Sequence, residues 1–464
     1  MLLKIISERG TDMKKLDLLK DNEKSIFFQY LIPAVCSTLV TSVYVLVDTL
    51  IIGQGVGALG ISALNIFLPF FLIFNGIGLL FGIGSGILMS KENGIGNVKK
   101  SDKYFITGLV SLLFTSSILW IVWNYYLEDI CVLLGADENI IGLVLEYGRC
   151  IMSFAPAFMV SNYLSPIIRN RKSPKLAMYA VLSGSILNIV LDYIFVFPMQ
   201  MGMFGAAFAT VIGSLTTIFV LLFHFVKKEN RVKINRQNIS LKLLTNIFKC
   251  GISSFLMEVA SGFVIFIFNI QILKYIGNEG IVVYGIISNC VIVGLALFNG
   301  VSQAVQPIIA TNFGADKMHR VKNLLKYAFI TTSFIGIFLF AIVFCFTENI
   351  IYVFVKPSDT VLSLGVPAIR LYLSSFCIMN VNILFCNYFQ SINKEKASIY
   401  ISIIRGFLLN IILVMILPEF LPANILWLVV PISELSTLIG IAFYIKKYKK
   451  QNNQIDKSDY LMAS

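Results

Sequence analysis

Apolar residues gather along this chain into twelve long stretches separated by short polar ones. They cover residues 26–52, 61–89, 104–126, 141–165, 174–197, 203–226, 244–273, 281–309, 324–346, 362–388, 398–418 and 422–445. A helix needs about 20 mostly apolar residues to cross a bilayer, so each stretch predicts one transmembrane helix. Several are longer than that, which leaves room for tilt or bends. Pro33, Pro69, Pro156 and Pro307 lie in or near these stretches, where a proline frees a backbone carbonyl and bends the helix. The longest internal polar segment follows the sixth stretch. The pattern therefore predicts a cytosolic leader over 1–25, a first lobe over 26–226, a cytosolic linker over 227–243, a second lobe over 244–445 and a cytosolic tail over 446–464.

The two lobes are copies of one another. An offset of 220 residues places Phe28 on Phe248, Ile32 on Ile252, Gly57 on Gly277, Gly60 on Gly280, Gly94 on Gly314 and Glu128 on Glu348. A drift to 222 brings Gly184-Ser185-Ile186-Leu187-Asn188-Ile189 over Gly406-Phe407-Leu408-Leu409-Asn410-Ile411. Each match is modest, but they persist along most of the chain. Six spans per copy is an even number, so both copies enter the membrane in the same sense. The expected fold is all-α and integral to the membrane: twelve transmembrane helices in two six-helix lobes, related by a pseudo-two-fold along the membrane normal.

Composition agrees. Of 464 residues, 57% are hydrophobic and 13% charged, against about 45–50% and 25% in soluble domains, and the mean hydropathy is +0.83. The net charge of +12 raises the question of nucleic acid, and its placement answers it. Of the 37 lysines and arginines, only Lys274 and Lys356 fall on one side of the predicted membrane, Arg149, Arg370 and Arg405 lie within spans, and Lys175, Lys249 and Lys326 lie just inside the opposite ends of spans. The rest lie on the other side. That asymmetry predicts both termini in the cytosol of a multi-pass protein of the inner (cytoplasmic) membrane, with its basic surface beside anionic lipid. No signal peptide is expected, because the leader lacks an apolar core. The eight scattered cysteines contain no CxxC spacing and predict neither a disulfide framework nor a zinc site.

Against this background the polar residues inside spans stand out. Asn188 and Asp192 are four residues apart in the fifth stretch, which puts them on one helix face, one turn apart. A carboxylate at mid-bilayer costs about 2.5–3.5 kcal/mol on insertion scales and normally faces protein or water. Asp48 stands similarly deep in the first span, with Tyr44 one turn before it. Glu258 in the seventh span and Glu434 in the twelfth are further candidates, and Glu434 has Arg405 as an alternative, structural partner. The repeat places Asp192 over Val414, Asp48 over Phe268 and Glu258 over Thr38, so the fold is duplicated while its acids are not. His224 and His319 fall at cytosolic span ends, which leaves proton handling to carboxylates. Sodium and protons are both admissible, because a hard cation and a proton compete for the same oxygens. The glycine-rich run from Gly76 to Gly86 lacks the P-loop lysine and predicts close helix packing.

The chain resembles the multidrug and toxin extrusion (MATE) family over essentially all twelve spans. The likeness rests on Pro33 with Tyr44-Val45-Leu46-Val47-Asp48, on Leu187-Asn188-Ile189-Val190-Leu191-Asp192, on Gly202-Met203-Phe204-Gly205-Ala206-Ala207-Phe208-Ala209-Thr210 and on Gly251-Ile252-Ser253-Ser254-Phe255. It implies a V-shaped pair of six-helix lobes exporting amphipathic, cationic organic compounds against sodium or proton entry by alternating access. It also implies a coupling-ion site of Asp48, Asn188, Asp192 and Thr210 with the Ala206 carbonyl, able to take Na+ or H+, with Glu258 and Glu434 as second-lobe candidates for ion or substrate. Glu258 matches an acid of the NorM-like branch. That branch's companion acid is replaced here by Asn380-Val381-Asn382, which places the chain nearer the DinF/MepA-like members. The implied protein is a transporter rather than an enzyme, a monomer without cofactor, with small organic molecules and membrane lipids as partners.

Three rivals make different demands. A lipid-linked glycan flippase of the same superfamily needs a cationic cavity for pyrophosphate, which three in-span arginines do not obviously build. An intramembrane acyltransferase-type enzyme needs a nucleophile or His/Asp pair near an interface, and the spans show none. A channel fits poorly with a two-fold repeat carrying unshared acids.

Overall fold

The computed structural model describes residues 17–227, 230, 232 and 239–462, with side chains to residue 447. Most of the expected leader and linker lie outside the described residues. What is described is helical throughout. In the first half the helices are α1 (Glu23–Gly55), α2 (Ala58–Ile95), α3 (Val98–Tyr125), α4 (Leu127–Leu133), α5 (Ile141–Ser153), α6 (Ala155–Asn170), α7 (Pro174–Val196) and α8 (Gly202–Leu222). In the second they are α9 (Leu241–Tyr275), α10 (Asn278–Gly314), α11 (Met318–Phe354), α12 (Asp359–Leu373), α13 (Phe376–Ser391), α14 (Glu395–Ile403), α15 (Leu409–Phe420) and α16 (Val429–Met462). Eleven helical segments among the described residues are long and apolar enough to cross a membrane, and the α5–α6 pair, bent by 55°, makes a twelfth if it counts as one span. The twelve predicted stretches are these spans.

The backbone repeats as the sequence does. Gly57 and Gly277 sit at φ 95° and 93°, and Gly96 and Asp316, also 220 residues apart, at 87° and 56°. Lys172 and Asn393 follow at 64° and 58°. Tyr126 ends α3 at φ −105°, ψ 18°, and its counterpart Phe346 breaks α11 at φ −115°, ψ 25°. At Gly57 and Gly277 the left-handed turn is what glycine permits without a Cβ penalty.

The bend between α5 and α6 has a local cause. Pro156 has no N–H to donate to Met152, so the helix cannot continue through Phe154, which adopts φ −114°, ψ 14°. In a membrane the freed carbonyls need other donors. Trp120 Nε1 donates to Ser153 O at 3.1 Å and Asn124 Nδ2 to Met152 O at 3.3 Å. The kink is thus held by side chains from α3.

The described chain forms two compact units. One runs to Phe67 and resumes over Ile77–Gly251 and Gln303–Ala328; the other holds Leu68–Gly76, Ile252–Ser302 and the chain from Phe329 onward. These boundaries cut α2, α9, α10 and α11, so compactness divides the chain differently from the repeat. Glycines explain why. Within the first unit, a Cβ on Gly84 would meet Gly251 N at 3.1 Å, and one on Gly251 would run into Leu80 O. A Cβ on Gly94 would strike Thr311 O, and one on Gly314 would strike Lys91 O. Four glycines therefore let backbones of α2, α9 and α10 touch directly. The last residues before α1 join the same unit. Leu18 is 1% exposed, Asn312 Nδ2 donates to Leu18 O at 3.1 Å, and Arg320 Nη2 donates to Asp21 O at 2.7 Å.

Candidate functional site

The site is built where α1, α7 and α8 meet in the first unit. Glycines again set the distances. A Cβ on Gly213 of α8 would sit 2.9 Å from Asn188 Cβ and 2.9 Å from Gly184 O, and one on Gly184 would overlap Thr217 Oγ1. The α7–α8 contact is therefore backbone against backbone, and it brings the polar face of α7 onto α8. On the other flank a Cβ at Gly55 would overlap Val196 Cγ1, which seats the end of α1 against the end of α7.

Five predicted residues converge there. Asn188 Nδ2 donates to Thr210 Oγ1 at 3.3 Å, and Thr210 Oγ1 donates to Ala206 O at 3.0 Å. Asp48 is 8% exposed and Asp192 not at all, and the two carboxyls lie in side-chain contact. Asn188 also lies against Asp192, one turn along α7. No N–H or O–H among the described residues satisfies Asp48 Oδ1, Asn188 Oδ1 or either carboxylate oxygen of Asp192. Four buried oxygens are thus left as acceptors. Two touching carboxylates cannot both remain charged in such surroundings without a proton between them or a cation upon them. These oxygens form an acceptor set that one proton or one small cation would satisfy.

Two tyrosines lie near the pair. Tyr44 of α1 and Tyr147 of α5 are close enough to both carboxyls to feel their charge. Tyr44 lies one turn from Asp48 and was legible in the sequence. Tyr147 was not, because Glu146 and Arg149 beside it mark that stretch as interfacial. The structure turns the exposed Glu146 outward, where Oε1 accepts from Phe204 N at 3.0 Å at the start of α8, while Tyr147 is 1% exposed and packs edge-on against Phe67 at 5.4 Å. Glu146 thereby ties α5 to the helix that carries Thr210 and Ala206.

The second-half acids are placed elsewhere. Glu258 lies half-buried on α9 in the second unit, beside Asn75. Glu434, 2% exposed, accepts from Arg405 Nε at 2.7 Å through Oε1 and from Asn382 Nδ2 at 2.7 Å through Oε2. Of its two anticipated roles the geometry displays the ion pair. Asn380 and Asn387 bond carbonyls of their own helix, Phe376 O and Ile383 O, at 2.5 and 2.9 Å. His224 is buried in the short turn Phe223–Phe225 that closes α8, at the opposite end of that helix from Ala206. No group of three or more His, Cys, Asp or Glu side chains among the described residues is arranged to hold a metal ion.

The sequence model of the MatE family matches residues 33–194 and 249–416, one match in each half of the repeat. This chain belongs to the MatE family. Among its relatives is the multidrug export protein MepA of Staphylococcus aureus (strain MSSA476), 26% identical over 414 residues, covering 87% of this chain and 90% of the relative. The MepA of Staphylococcus saprophyticus is also 26% identical, over 411 residues and the same shares. Solved MatE-type structures share the fold. One described as an outward-facing conformation of a multidrug resistance MATE family transporter of the MOP superfamily superposes with a TM-score of 0.88 at 21% identity, covering 95% of this chain and 99% of that one. Another, a MOP superfamily transporter from Pyrococcus furiosus whose description reports reversed polarity of its binding pocket, gives 0.86 at 21% identity over 94% and 98%. Each match runs through the first five spans of one copy, and the two begin 216 residues apart, close to the offset of 220.

Proposed function

We propose that this MatE-family chain is a secondary active antiporter that exports amphipathic organic cations by alternating access while Na+ or H+ enters. The observation that carries the reading is the group of buried acceptor oxygens at Asp48, Asn188 and Asp192. A proton bridging the two carboxyls and a sodium ion bound by their oxygens, Asn188 Oδ1, Thr210 Oγ1 and the Ala206 carbonyl are alternative cargoes of one site. The MepA relatives, described as multidrug export proteins, support the substrate class. When one monovalent cation leaves for each charge that enters, the membrane potential cancels, and a tenfold inward ion gradient, worth about 1.4 kcal/mol, sustains about a tenfold substrate gradient.

In this reading the six-span lobes over 26–226 and 244–445 are the moving bodies and both termini are cytosolic. The protein works as a monomer and is not an enzyme. Glu258 serves as an accessory acid in the second lobe, beside Asn75, and Glu434 as a fixed structural anion. The glycan-flippase reading draws no support from the in-span arginines of the second half. Arg405 is neutralised by Glu434, and Arg370 donates to Thr347 Oγ1 at 3.1 Å and lies 4.7 Å from the Phe344 ring.

Purified protein in liposomes, loaded with a fluorescent lipophilic cation and subjected in turn to sodium and pH gradients, tests this. Export driven by one inward gradient is the expected result. Flux indifferent to both gradients would mark a channel and overturn the proposal.

A further inference from the structure

We infer that a cavity at the start of α3 holds the headgroup of an anionic phospholipid of the cytosolic leaflet. The cavity, about 400 Å³, is lined by Asn97, Lys99, Lys100, Lys103, Ser240 and Leu243. Three lysines within the first six residues of a helix are not explained by helix stability. The amino end of a helix carries about half a positive charge, so cations there cost free energy unless an anion joins them. The nearby carboxylates are already committed: Glu92 holds Lys100 at 2.7 Å, and Asp102 holds Arg171 at 2.5 Å. Lys99 and Lys103 have no carboxylate partner among the described residues. Nor can the adjoining polar linker supply the anion. Between residues 227 and 243 it has six lysines and arginines, Lys227, Lys228, Arg231, Lys233, Arg236 and Lys242, against one acid, Glu229.

The surroundings specify a lipid rather than free phosphate. Ile95, Val98, Ile239 and Leu241, each within two residues of a lining residue, are 56%, 60%, 47% and 82% exposed. Large apolar side chains bared around a cluster of ammonium groups suit a molecule with a phosphate at one end and acyl chains at the other. The starts of α3 and α9, both long and apolar enough to span a membrane, meet here on the lysine-rich side of the chain. The assignment rests on the cytosolic orientation proposed above and not on any transport step.

The test uses the full-length protein in phosphatidylcholine nanodiscs titrated with phosphatidylglycerol, with bound lipid counted by native mass spectrometry after release. The variants are Lys99→Gln/Lys103→Gln, which leaves the Lys100–Glu92 pair intact, and Lys322→Gln/Lys326→Gln, which removes the same charge from exposed positions on the same side. Retention of phosphatidylglycerol should fall about thirty-fold in the first variant and about two-fold or less in the second, with phosphatidylcholine unaffected in both. An equal fall in both variants would reduce the effect to diffuse surface charge and overturn the site. Inorganic phosphate in pure phosphatidylcholine discs forms the other arm. If it occupied the wild-type cavity at micromolar concentration and were lost in the first variant, the ligand would be a soluble phosphate and the lipid assignment would fail.

Discussion

Arg405 Nε donates to Glu434 Oε1 at 2.7 Å, joining the π-helical turn Ile404–Leu408 to α16. The extra residue of that turn leaves the Arg405 carbonyl without its normal partner, and Asn410 Nδ2 takes it at 2.6 Å. The deep acid of the second half is therefore held by a guanidinium and an amide, whereas Asp48 and Asp192 in the first half face each other. Removing one member of a buried pair strands the other, at about 3–5 kcal/mol, while removing both is far cheaper. Arg405→Leu should lower thermal stability in detergent by that order, and Arg405→Leu combined with Glu434→Leu should recover most of the loss. A double variant no better than the single one would contradict a structural pairing.

The contact between Gly184 and Gly213 makes a second prediction. Gly213→Ala forces a methyl to within 2.9 Å of Asn188 Cβ and Gly184 O. Overpacking of this kind costs about 1–3 kcal/mol, and it also pushes Asn188 away from Thr210. The melting temperature should fall, and the ion concentration giving half-maximal export should rise with it. Gly142→Ala, at a glycine with open space around its Cβ, is the control and should change neither.

Much of this was legible in the sequence, and the exceptions are informative. Twelve apolar stretches and a 220-residue offset were enough for the spans and the duplication, because lipid forces every backbone polar group into helices. The pairing of Asn188 with Asp192 followed from helical spacing alone. Their approach to Asp48 depends on which helices touch, and the signal for that lies in Gly55, Gly184 and Gly213, small residues whose partners no single sequence reveals. Tyr147 was hidden by charged neighbours facing the other way. The bend at Phe154 was half visible in Pro156, but the side chains that hold it, Trp120 and Asn124, come from another helix. Leu18 read as part of a polar leader, and its burial depends on Asn312 and Arg320 nearly three hundred residues away.

Asn124 offers a direct check on that bend. Asn124→Leu leaves the Met152 carbonyl without its side-chain donor, a loss of about 1–3 kcal/mol for a partly buried group. Thermal unfolding should show it, and Asn124→Gln should restore part of it. A neutral Asn124→Leu would mean that water reaches the kink.

Thr210 separates ion binding from packing. Thr210→Val keeps the shape of α8 and removes the hydroxyl that accepts from Asn188 and donates to Ala206 O. Losing one oxygen of the cation site should weaken the coupling ion about tenfold, or about 1.4 kcal/mol, in a titration of export rate against sodium and pH. Thr210→Ser, which retains the hydroxyl, should stay within about two-fold of wild type.

The central claim is that Asp48 and Asp192 share one small cation whose entry drives export. Gradient-driven efflux by Asp192→Asn in proteoliposomes, measured beside equilibrium binding of the same fluorescent cation, tests it most directly. The account predicts that binding persists while the gradient no longer accelerates export. Efflux that still follows the imposed gradient at the wild-type rate would contradict it.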